Sequence, residues 1–359
     1  MLDPRYTQLA EILVHKCVET RPGDHVWIRS ISTESLPLAR EVYKQIVLAG
    51  AHPIYDISDD AVSAFFYKHA TAEQLNHKPD VMEFVATLAD KTITIVGEPN
   101  KRELANTDPK KIVERSRLIR PVKDVIMAKP WVLTYVPTHG MAQDAQMSYD
   151  EFEDFYFTAT NRNWQEVQDR MQSYAKFLTD AKDLHIVGEK TDLHMSVQGR
   201  TWIYDDWKAN MPGGEVFTSP VANTVEGEIF FSFPLLRQGK IIRDIHLFFE
   251  NGKVVKATAS EGQDALEHLL DTDEDARRLG EVAIGGNPGI TSYMYNMLFD
   301  EKMAGTIHCA LGQGFEECGG ETQSALHMDI VKDMTTPGST ITVDGKLFMK
   351  DGKIVLDQK

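Results

Sequence analysis

The sequence predicts an α/β fold in its N-terminal half, an open, largely parallel sheet with flanking helices, followed by a C-terminal α+β domain. Two observations support this division. Helical periodicity alternates with short apolar runs in the first half, whereas the second half consists mostly of short β-rich runs. The length of 359 residues is also sufficient for two separate cores. We therefore predict domains at residues 1–182 and 183–359.

The predicted elements of the first domain alternate between helix and strand. The helices cover residues 6–18, 32–48, 81–89 and 110–120, and the strands that follow them cover residues 25–29, 52–57, 92–96 and 131–136. Pro121 is expected to end the fourth helix, because proline lacks the N–H group that a helix interior needs. A further amphipathic helix at 163–181 ends the domain. Strands connected by helices can pair in parallel, which predicts the open sheet.

The charge of the chain disfavours polyanionic partners. Lys and Arg number 38 and Asp and Glu number 54, which gives a net charge of −16. Such a charge repels phosphate backbones and anionic membrane surfaces, so we expect no nucleic acid and no membrane partner. The sequence has no apolar run of about 18 residues, and its start lacks the basic and apolar regions of a signal peptide. We therefore expect a cytoplasmic protein.

Cysteine content and missing motifs narrow the chemistry further. The cysteines are Cys17, Cys309 and Cys318, and they form no CxxC pair that would hold a zinc cluster. The sequence contains no GxGxxG, GxxxxGK[ST] or GxSxG motif, so it predicts neither a nucleotide site nor a serine nucleophile of that type. His139 and His194 are interpreted as isolated polar residues. Any metal must be held by other histidines and by carboxylates.

Short segments of the second half place potential metal ligands on one face of a strand. Side chains at i and i+2 share a face of a strand. Glu281, His308 and the pair of His327 and Asp329 therefore lie opposite the apolar residues of their own segments. Glu215 begins another predicted strand after a Pro-Gly-Gly turn. These donors suit Zn, Mn, Co, Mg or Fe, which predicts that the α+β domain carries a metal site.

The same segments resemble a known family, the thermophilic metallo-aminopeptidases of the aminopeptidase T type. The resemblance rests on NMPGGEVFTSP at 210–220, LGEVAI at 279–284, HCALG at 308–312 and SALHMD at 324–329. An upstream TDL element at 191–193 is also similar. These motifs cover most of the second half, whereas the first half agrees only in its α/β pattern.

The resemblance implies a site for two divalent ions, with Zn, Co, Mn or Mg as the metal. The family holds them with two glutamates, two histidines, an aspartate and a tyrosine. Transferred to this sequence, the ligands are Glu215, Glu281, His308, His327 and Asp329. The resemblance further implies a homodimer with an enclosed site that admits short peptides.

The tyrosine ligand of the family is missing from this sequence. Counting from the His308 segment, its position holds Phe315, whose ring cannot coordinate a metal. Glu316 or Glu317 is a candidate to supply the missing oxygen.

The function implied by the resemblance is a metal-dependent aminopeptidase, in which a metal-activated water attacks the first peptide bond. A general base must then move a proton to the leaving amine. The candidates are the acidic residues close to the motifs: Glu226, Glu228, Glu316, Glu317 and Glu321.

Two alternatives use the same segments differently. His308, His327 and Asp329 are a possible triad for a mononuclear Fe(II) ring-cleaving dioxygenase of the dihydroxypyridine type, a group that resembles this family in the C-terminal half. The retention of Glu215 and Glu281 argues against it. A non-catalytic protein with a structural metal, or with none, is the other alternative. Donors dispersed over more than a hundred residues are less typical of a closed structural site.

Overall fold

A computed structural model describes residues 3–237 and 239–356 of the protein. The helices are α1 (Pro4–Ile12), α2 (Leu36–Leu48), α3 (Asp60–His69), α4 (Ala72–Leu75), α5 (Asp80–Leu88), α6 (Pro109–Met127), α7 (His139–Asp144), α8 (Tyr149–Thr160), α9 (Trp164–Leu178), α10 (Gln263–Leu270) and α11 (Met297–Asp300). A π-helical turn at Leu13–Cys17 and 3-10 turns at Thr33–Ser35 and Glu316–Cys318 add to these.

Strands are more numerous in the second half than in the first. They are β1 (His25–Ile31), β2 (His52–Ser58), β3 (Lys91–Gly97), β4 (Trp131–Val136), β5 (Asp183–Gly188), β6 (Thr191–Ser196), β7 (Ile203–Tyr204), β8 (Asn210–Met211), β9 (Glu215–Thr218), β10 (Glu226–Phe231), β11 (Leu235–Arg237), β12 (Lys240–Ile242), β13 (Ile245–Glu250), β14 (Lys253–Thr258), β15 (Leu279–Gly285), β16 (Thr306–Gly312), β17 (His327–Asp333), β18 (Thr340–Val343), β19 (Lys346–Lys350) and β20 (Lys353–Ile354).

The chain folds into two compact units. One contains the chain up to Arg162 together with Trp207–Pro212, and the other contains Asn163–Asp206 and the chain from Gly213 onward. Helix α9 therefore belongs to the second unit. The predicted domain boundary at residue 182, with the metal site in the second domain, stays a prediction.

The first unit contains the predicted parallel sheet. Its strands run in the order β2-β1-β3-β4-β8, and each neighbouring pair is parallel. The central strand β3 is buried at six of its seven positions, as expected for a sheet covered by helices on both faces.

Helix α6 is longer than predicted, and the expectation that Pro121 ends it was wrong. The helix continues through Pro121 to Met127. The additional turns bury Val122 and Ile126 in a cluster with Trp27. Burying such side chains is worth about 1.5–3 kcal/mol each, which offsets the roughly 3 kcal/mol that a proline costs inside a helix.

The second unit is built from antiparallel sheets, which confirms the predicted change of architecture. One sheet has the order β14-β13-β10-β6-β5-β18-β19-β20, and another has the order β17-β16-β15-β9-β7. All neighbouring strands of the second sheet pair antiparallel. In its two central strands, β15 and β16, every position is buried.

Across residues 3–237 and 239–356, the helices are too short or too polar to cross a membrane.

Candidate metal centre

Strands β9, β15, β16 and β17 bring the predicted ligands to one face of their sheet. Ala310 in the middle of β16 is the cross-strand partner of Glu281 on one side and of Asp329 on the other. His308 lies two residues before Ala310, and His327 pairs with Gly312 two residues after it. Because side chains alternate between faces, these four project in the same direction, and the small side chain of Ala310 leaves space between them.

Glu215 reaches the same face from the next strand. It begins β9 and pairs with Gly285 at the end of β15. Its Oε2 atom lies 3.5 Å from Nε2 of His308. All the ligands predicted from the sequence are therefore brought together by neighbouring strands.

The two histidines face carboxylates through Nε2. Nε2 of His308 lies 3.5 Å from Oε1 of Glu281, and Nε2 of His327 lies 3.3 Å from Oε2 of the same glutamate. Nε2 of His327 also lies 3.3 Å from Oδ1 of Asp329. Glu281 thus bridges the two imidazoles.

Backbone carbonyls hold the other side of each imidazole. Nδ1 of His308 lies 3.1 Å from the carbonyl oxygen of Glu301, and Nδ1 of His327 lies 3.0 Å from that of Gln313. A carbonyl only accepts, so Nδ1 carries the proton and donates it. A metal that displaces the proton of Nε2 can therefore bind there without a change of ring orientation, and this orientation is usual for metal-ligating histidines.

The pKa values of the protein groups reflect a shortage of positive charge at this centre. Burial disfavours the charged imidazolium, yet the contact with Glu281 raises the pKa of His308 to about 10. Burial acts in the same way on His327, and its contacts with Asp329 and Glu281 raise that pKa to about 11. For Glu215 burial dominates and raises the carboxyl pKa to about 8. The carboxylates stabilise the protonated imidazoles in the same way that they would stabilise a bound metal cation.

The donor set fits a divalent metal. Within the described part of the chain, donor atoms of Glu281, His327 and Asp329 lie within 4.8 Å of one another, and so do those of Glu301, His308 and Asp329. We call these the Glu281 group and the Glu301 group. Among the same described residues, Oε2 of Glu215 is buried without a hydrogen-bond partner. Buried carboxylates are normally paired or bound to metal, so an ion among these donors accounts for their arrangement.

Sequence reasoning missed Glu301 and Lys302. Oε1 of Glu301 forms an ion pair with the ammonium of Lys302, which also lies 3.4 Å from Oε1 of Glu215. Lys302 is fully buried, and burial is outweighed by Glu215 and Glu301, so the pKa of its ammonium is raised. Charged residues in succession after a short helix are typical of a solvated turn, and no motif marked these two as internal.

Phe315 lies beside His327. The ring centroids are 5.3 Å apart in an edge-to-face arrangement, and the Phe315 ring also lies 5.2 Å from that of Phe217. Glu316 and Glu317 follow in the 3-10 turn Glu316–Cys318, and both are exposed. Their assignment as base or replacement ligand stays a prediction.

The other candidate acids have partners outside the predicted ligand set. Oε2 of Glu321 lies 2.9 Å from Nη2 of Arg200, and Oε2 of Glu228 lies 2.8 Å from Nε2 of His246. Glu226 accepts a hydrogen bond from the backbone N–H of Asn251.

His194 is not isolated, contrary to the sequence interpretation. Its ring stacks on His185 at 3.6 Å, and both histidines contact Asp192. The pairing of β5 with β6 places the two histidines directly opposite each other, which the sequence did not reveal.

Comparisons with known proteins find relatives along nearly the whole chain. The model of the thermophilic metalloprotease (M29) family matches residues 2–354. Aminopeptidase 2 of Geobacillus stearothermophilus is 29% identical over 397 aligned residues, which cover 96% of this chain and 94% of that protein. Aminopeptidase T of Thermus thermophilus is 38% identical over 147 residues, which cover 37% of this chain and 36% of that protein.

Solved structures share the fold. Wild-type AmpT from Thermus thermophilus superposes with a TM-score of 0.86 at 24% identity, over 98% of this chain and 99% of that one. The 2,5-dihydroxypyridine dioxygenase from Pseudomonas putida KT2440 superposes with a TM-score of 0.65 at 13% identity, over 98% of this chain and 97% of that one.

Proposed function

The chain belongs to the thermophilic metalloprotease (M29) family, and we propose that within it the chain acts as an aminopeptidase that releases N-terminal residues from short peptides. Membership makes it a metal-dependent hydrolase of peptide bonds. The narrower activity is supported by the relatives, which are named aminopeptidases and in one case align along nearly the whole chain. The observation that carries the proposal is the bridging of two imidazoles by Glu281.

We propose that Glu215, Glu281, His308, His327 and Asp329 form the metal centre. Zn, Co, Mn and Mg all accept such nitrogen and oxygen donors. A bound divalent ion supplies Lewis acidity, which polarises a carbonyl and brings the pKa of a coordinated water near neutrality.

The remaining groups orient the donors and move protons. The carbonyls of Glu301 and Gln313 fix the two imidazoles, so that Nε2 of each needs no reorientation. The Phe315 ring packs edge-to-face against His327 and supports its orientation. We propose Glu316 or Glu317 as the base that carries a proton from water to the leaving amine, since both follow Phe315 directly.

The dioxygenase alternative has less support. Its triad needs His308, His327 and Asp329 around one ion, but the donor groups divide the histidines, with His327 in the Glu281 group and His308 in the Glu301 group. Glu281 contacts both histidines and would have no role in a two-histidine, one-carboxylate iron site. The likeness to the dihydroxypyridine dioxygenase is one of fold.

The homodimer and the cytoplasmic location stay predictions from the sequence. A dimer that encloses the site would restrict substrates to short peptides, and the molar mass in solution, measured by light scattering, tests this for a chain of 40.5 kDa.

The function is tested with dipeptides and the variant His327→Ala. We expect the wild type to release the N-terminal amino acid and the variant to lose at least about 100-fold in kcat/KM together with bound metal, because a ligand of the ion is removed. His268→Ala is the matched control, since it removes an exposed imidazole on helix α10. A wild type that hydrolyses no dipeptide in the presence of Zn, Co, Mn or Mg would refute the proposal.

A further inference from the structure

Lys302 is placed at the centre by its backbone. Its N–H donates to the carbonyl of Phe299, and its carbonyl accepts from the N–H of Asn287. The backbone of Lys302 and Met303 packs so closely on Gly285 that a Cβ atom there would lie 2.2 Å from the carbonyl oxygen of Met303. The origin of the lysine side chain is therefore fixed against strand β15.

This position directs the ammonium toward Glu215. Gly285 is the cross-strand partner of Glu215. The Lys302 side chain, whose backbone packs on Gly285, therefore starts close to Glu215 and reaches its carboxylate. Nζ of Lys302 lies 3.4 Å from Oε1 of Glu215 and is ion-paired with Oε1 of Glu301. The side chain is fully buried, so water cannot replace either carboxylate as its partner.

The ammonium thus neutralises one side of the centre. Glu301 belongs to the Glu301 group with His308 and Asp329, and Glu215 contacts His308. A divalent ion among these donors would compete with a buried cation for the same carboxylates. An ion bound to these carboxylates would lie close to the ammonium, and two positive charges so close together in a protein interior repel strongly.

The Glu281 group lies on the other side, and in the described part of the chain no lysine or arginine forms an ion pair with its carboxylates. Its donors are Oε2 of Glu281, Nε2 of His327 and Oδ1 of Asp329, with the imidazole nitrogen 3.3 Å from each oxygen. His327 is one-third exposed, so this group is open to solvent and substrate, whereas His308 is buried. Three protein donors with an open position are the usual arrangement of a catalytic metal.

We propose that this site takes one divalent ion per chain, held by Glu281, His327 and Asp329, and that the ammonium of Lys302 serves as the second cation. The inference rests on the proposed function, because it assumes a catalytic metal at this centre. It also differs from the two ions that the family resemblance implies. Phe315 in place of a tyrosine leaves the coordination of the single ion open on the side of His327.

Metal counting with Lys302→Gln and Lys302→Arg tests this proposal. Each protein is stripped with chelator, reloaded with Co(II), dialysed and analysed for metal per chain. We expect about one equivalent for the wild type and for Lys302→Arg, which keeps the cation, and about two for Lys302→Gln, which frees Glu215 and Glu301. All proteins carry His194→Gln, because His185, Asp192 and His194 also bring donor atoms within 4.8 Å of one another.

Two equivalents in the wild type would overturn the proposal, and so would one equivalent in a folded Lys302→Gln protein. Electron paramagnetic resonance of the Mn(II)-loaded His194→Gln protein needs no substitution at Lys302 and remains decisive if the Lys302→Gln variant fails to fold. An isolated Mn(II) spectrum supports one ion, whereas a spin-coupled pair contradicts it.

Dipeptide hydrolysis is measured on the same samples and separates the two proposals. If the metal counts are as expected but no sample hydrolyses dipeptides, the aminopeptidase function is refuted and the proposal of a single ion stands. Hydrolysis by a wild type with two ions would refute the single ion and leave the function standing.

Discussion

At the scale of single residues, Phe315 is the clearest departure from the ligand set that the family resemblance implies. Its ring lies edge-to-face with His327 at 5.3 Å. A phenol there would carry an oxygen close to the Glu281 group, which a phenyl ring does not. The residue therefore leaves one ligand position to water or substrate.

Phe315→Tyr is expected to tighten metal binding by about 10-fold, which is the lower end of what one additional interaction at a metal site contributes. Competition with a chromogenic chelator measures the dissociation constant. Phe217→Tyr is the matched control, because the Phe217 ring also contacts Phe315, with 5.2 Å between the ring centroids. Equal effects of the two substitutions would show that the phenol does not reach the metal.

Lys332 is a buried cation outside the ligand set. It is 2% exposed, and Nζ donates to the carbonyl of Phe230 at 2.9 Å. Burial lowers the pKa of its ammonium to about 8, below the value of about 10.4 expected in the unfolded chain. Keeping this charge inside the folded protein therefore has an energetic cost at neutral pH.

The contribution of Lys332 to the free energy of unfolding is expected to rise as the pH increases from about 8 to about 10.4. In that window the folded lysine has lost its proton while the unfolded chain still binds one, and the full difference is about 3 kcal/mol. Below pH 8 both states are charged and the cost is fully present. Urea unfolding at several pH values measures the slope, which Lys332→Met should reduce and Lys346→Met, at an exposed position, should not.

At the scale of elements, the contact of β15 with the end of β16 sets the orientation of His327. A Cβ atom on Gly280 would lie 2.5 Å from the carbonyl oxygen of Gln313 and 2.6 Å from that of Gly312. The Gln313 carbonyl is the group that accepts from Nδ1 of His327. The glycine therefore permits the approach that holds the imidazole.

Gly280→Ala is expected to destabilise the fold by roughly 1–3 kcal/mol and to weaken metal binding by about 10- to 100-fold, since the strands must separate and the acceptor of His327 moves. Thermal unfolding and chelator competition measure the two effects. Gly338→Ala, at a positive φ in open space, should destabilise the protein through backbone strain alone. If Gly280→Ala and Gly338→Ala both bind metal as tightly as the wild type, the hydrogen bond from His327 to the Gln313 carbonyl does not control metal affinity.

Strand patterns carried most of what the sequence predicted about the site. Alternation assigned Glu281, His308, His327 and Asp329 to the polar faces of their strands, and antiparallel pairing then placed those faces side by side. Glu301 lies in the loop before β16 and reaches the centre through the path of its backbone, which no periodicity encodes.

The same limit applies to the elements of the first unit. The parallel sheet was predictable because short strands such as β1 and β3 alternate with helices along the chain. The length of α6 was not, because the local cost of Pro121 is outweighed by packing of Val122 and Ile126 against residues distant in sequence.

At the scale of the whole molecule, metal binding should appear as added stability. Saturation to 100 times the dissociation constant stabilises a protein by about 2.7 kcal/mol when the unfolded chain does not bind the ion. We expect Zn(II) or Co(II) to raise the unfolding temperature of the wild type but not that of His327→Ala, and calorimetry measures both. A metal-dependent rise in unfolding temperature that persists in His327→Ala would place the stabilising ion elsewhere. His194→Gln would then test the pair of His185 and His194.

The most direct test of the metal-dependent aminopeptidase compares a dipeptide with its N-acetylated form, using protein stripped by chelator and then reloaded with Zn, Co, Mn or Mg. The account predicts release of the N-terminal residue only from the free dipeptide and only after metal is restored, and the products are identified by chromatography. Cleavage that does not need metal, or equal cleavage of the acetylated peptide, would contradict it. Oxygen uptake with a dihydroxypyridine and Fe(II), without any peptide cleavage, would contradict it in favour of the dioxygenase.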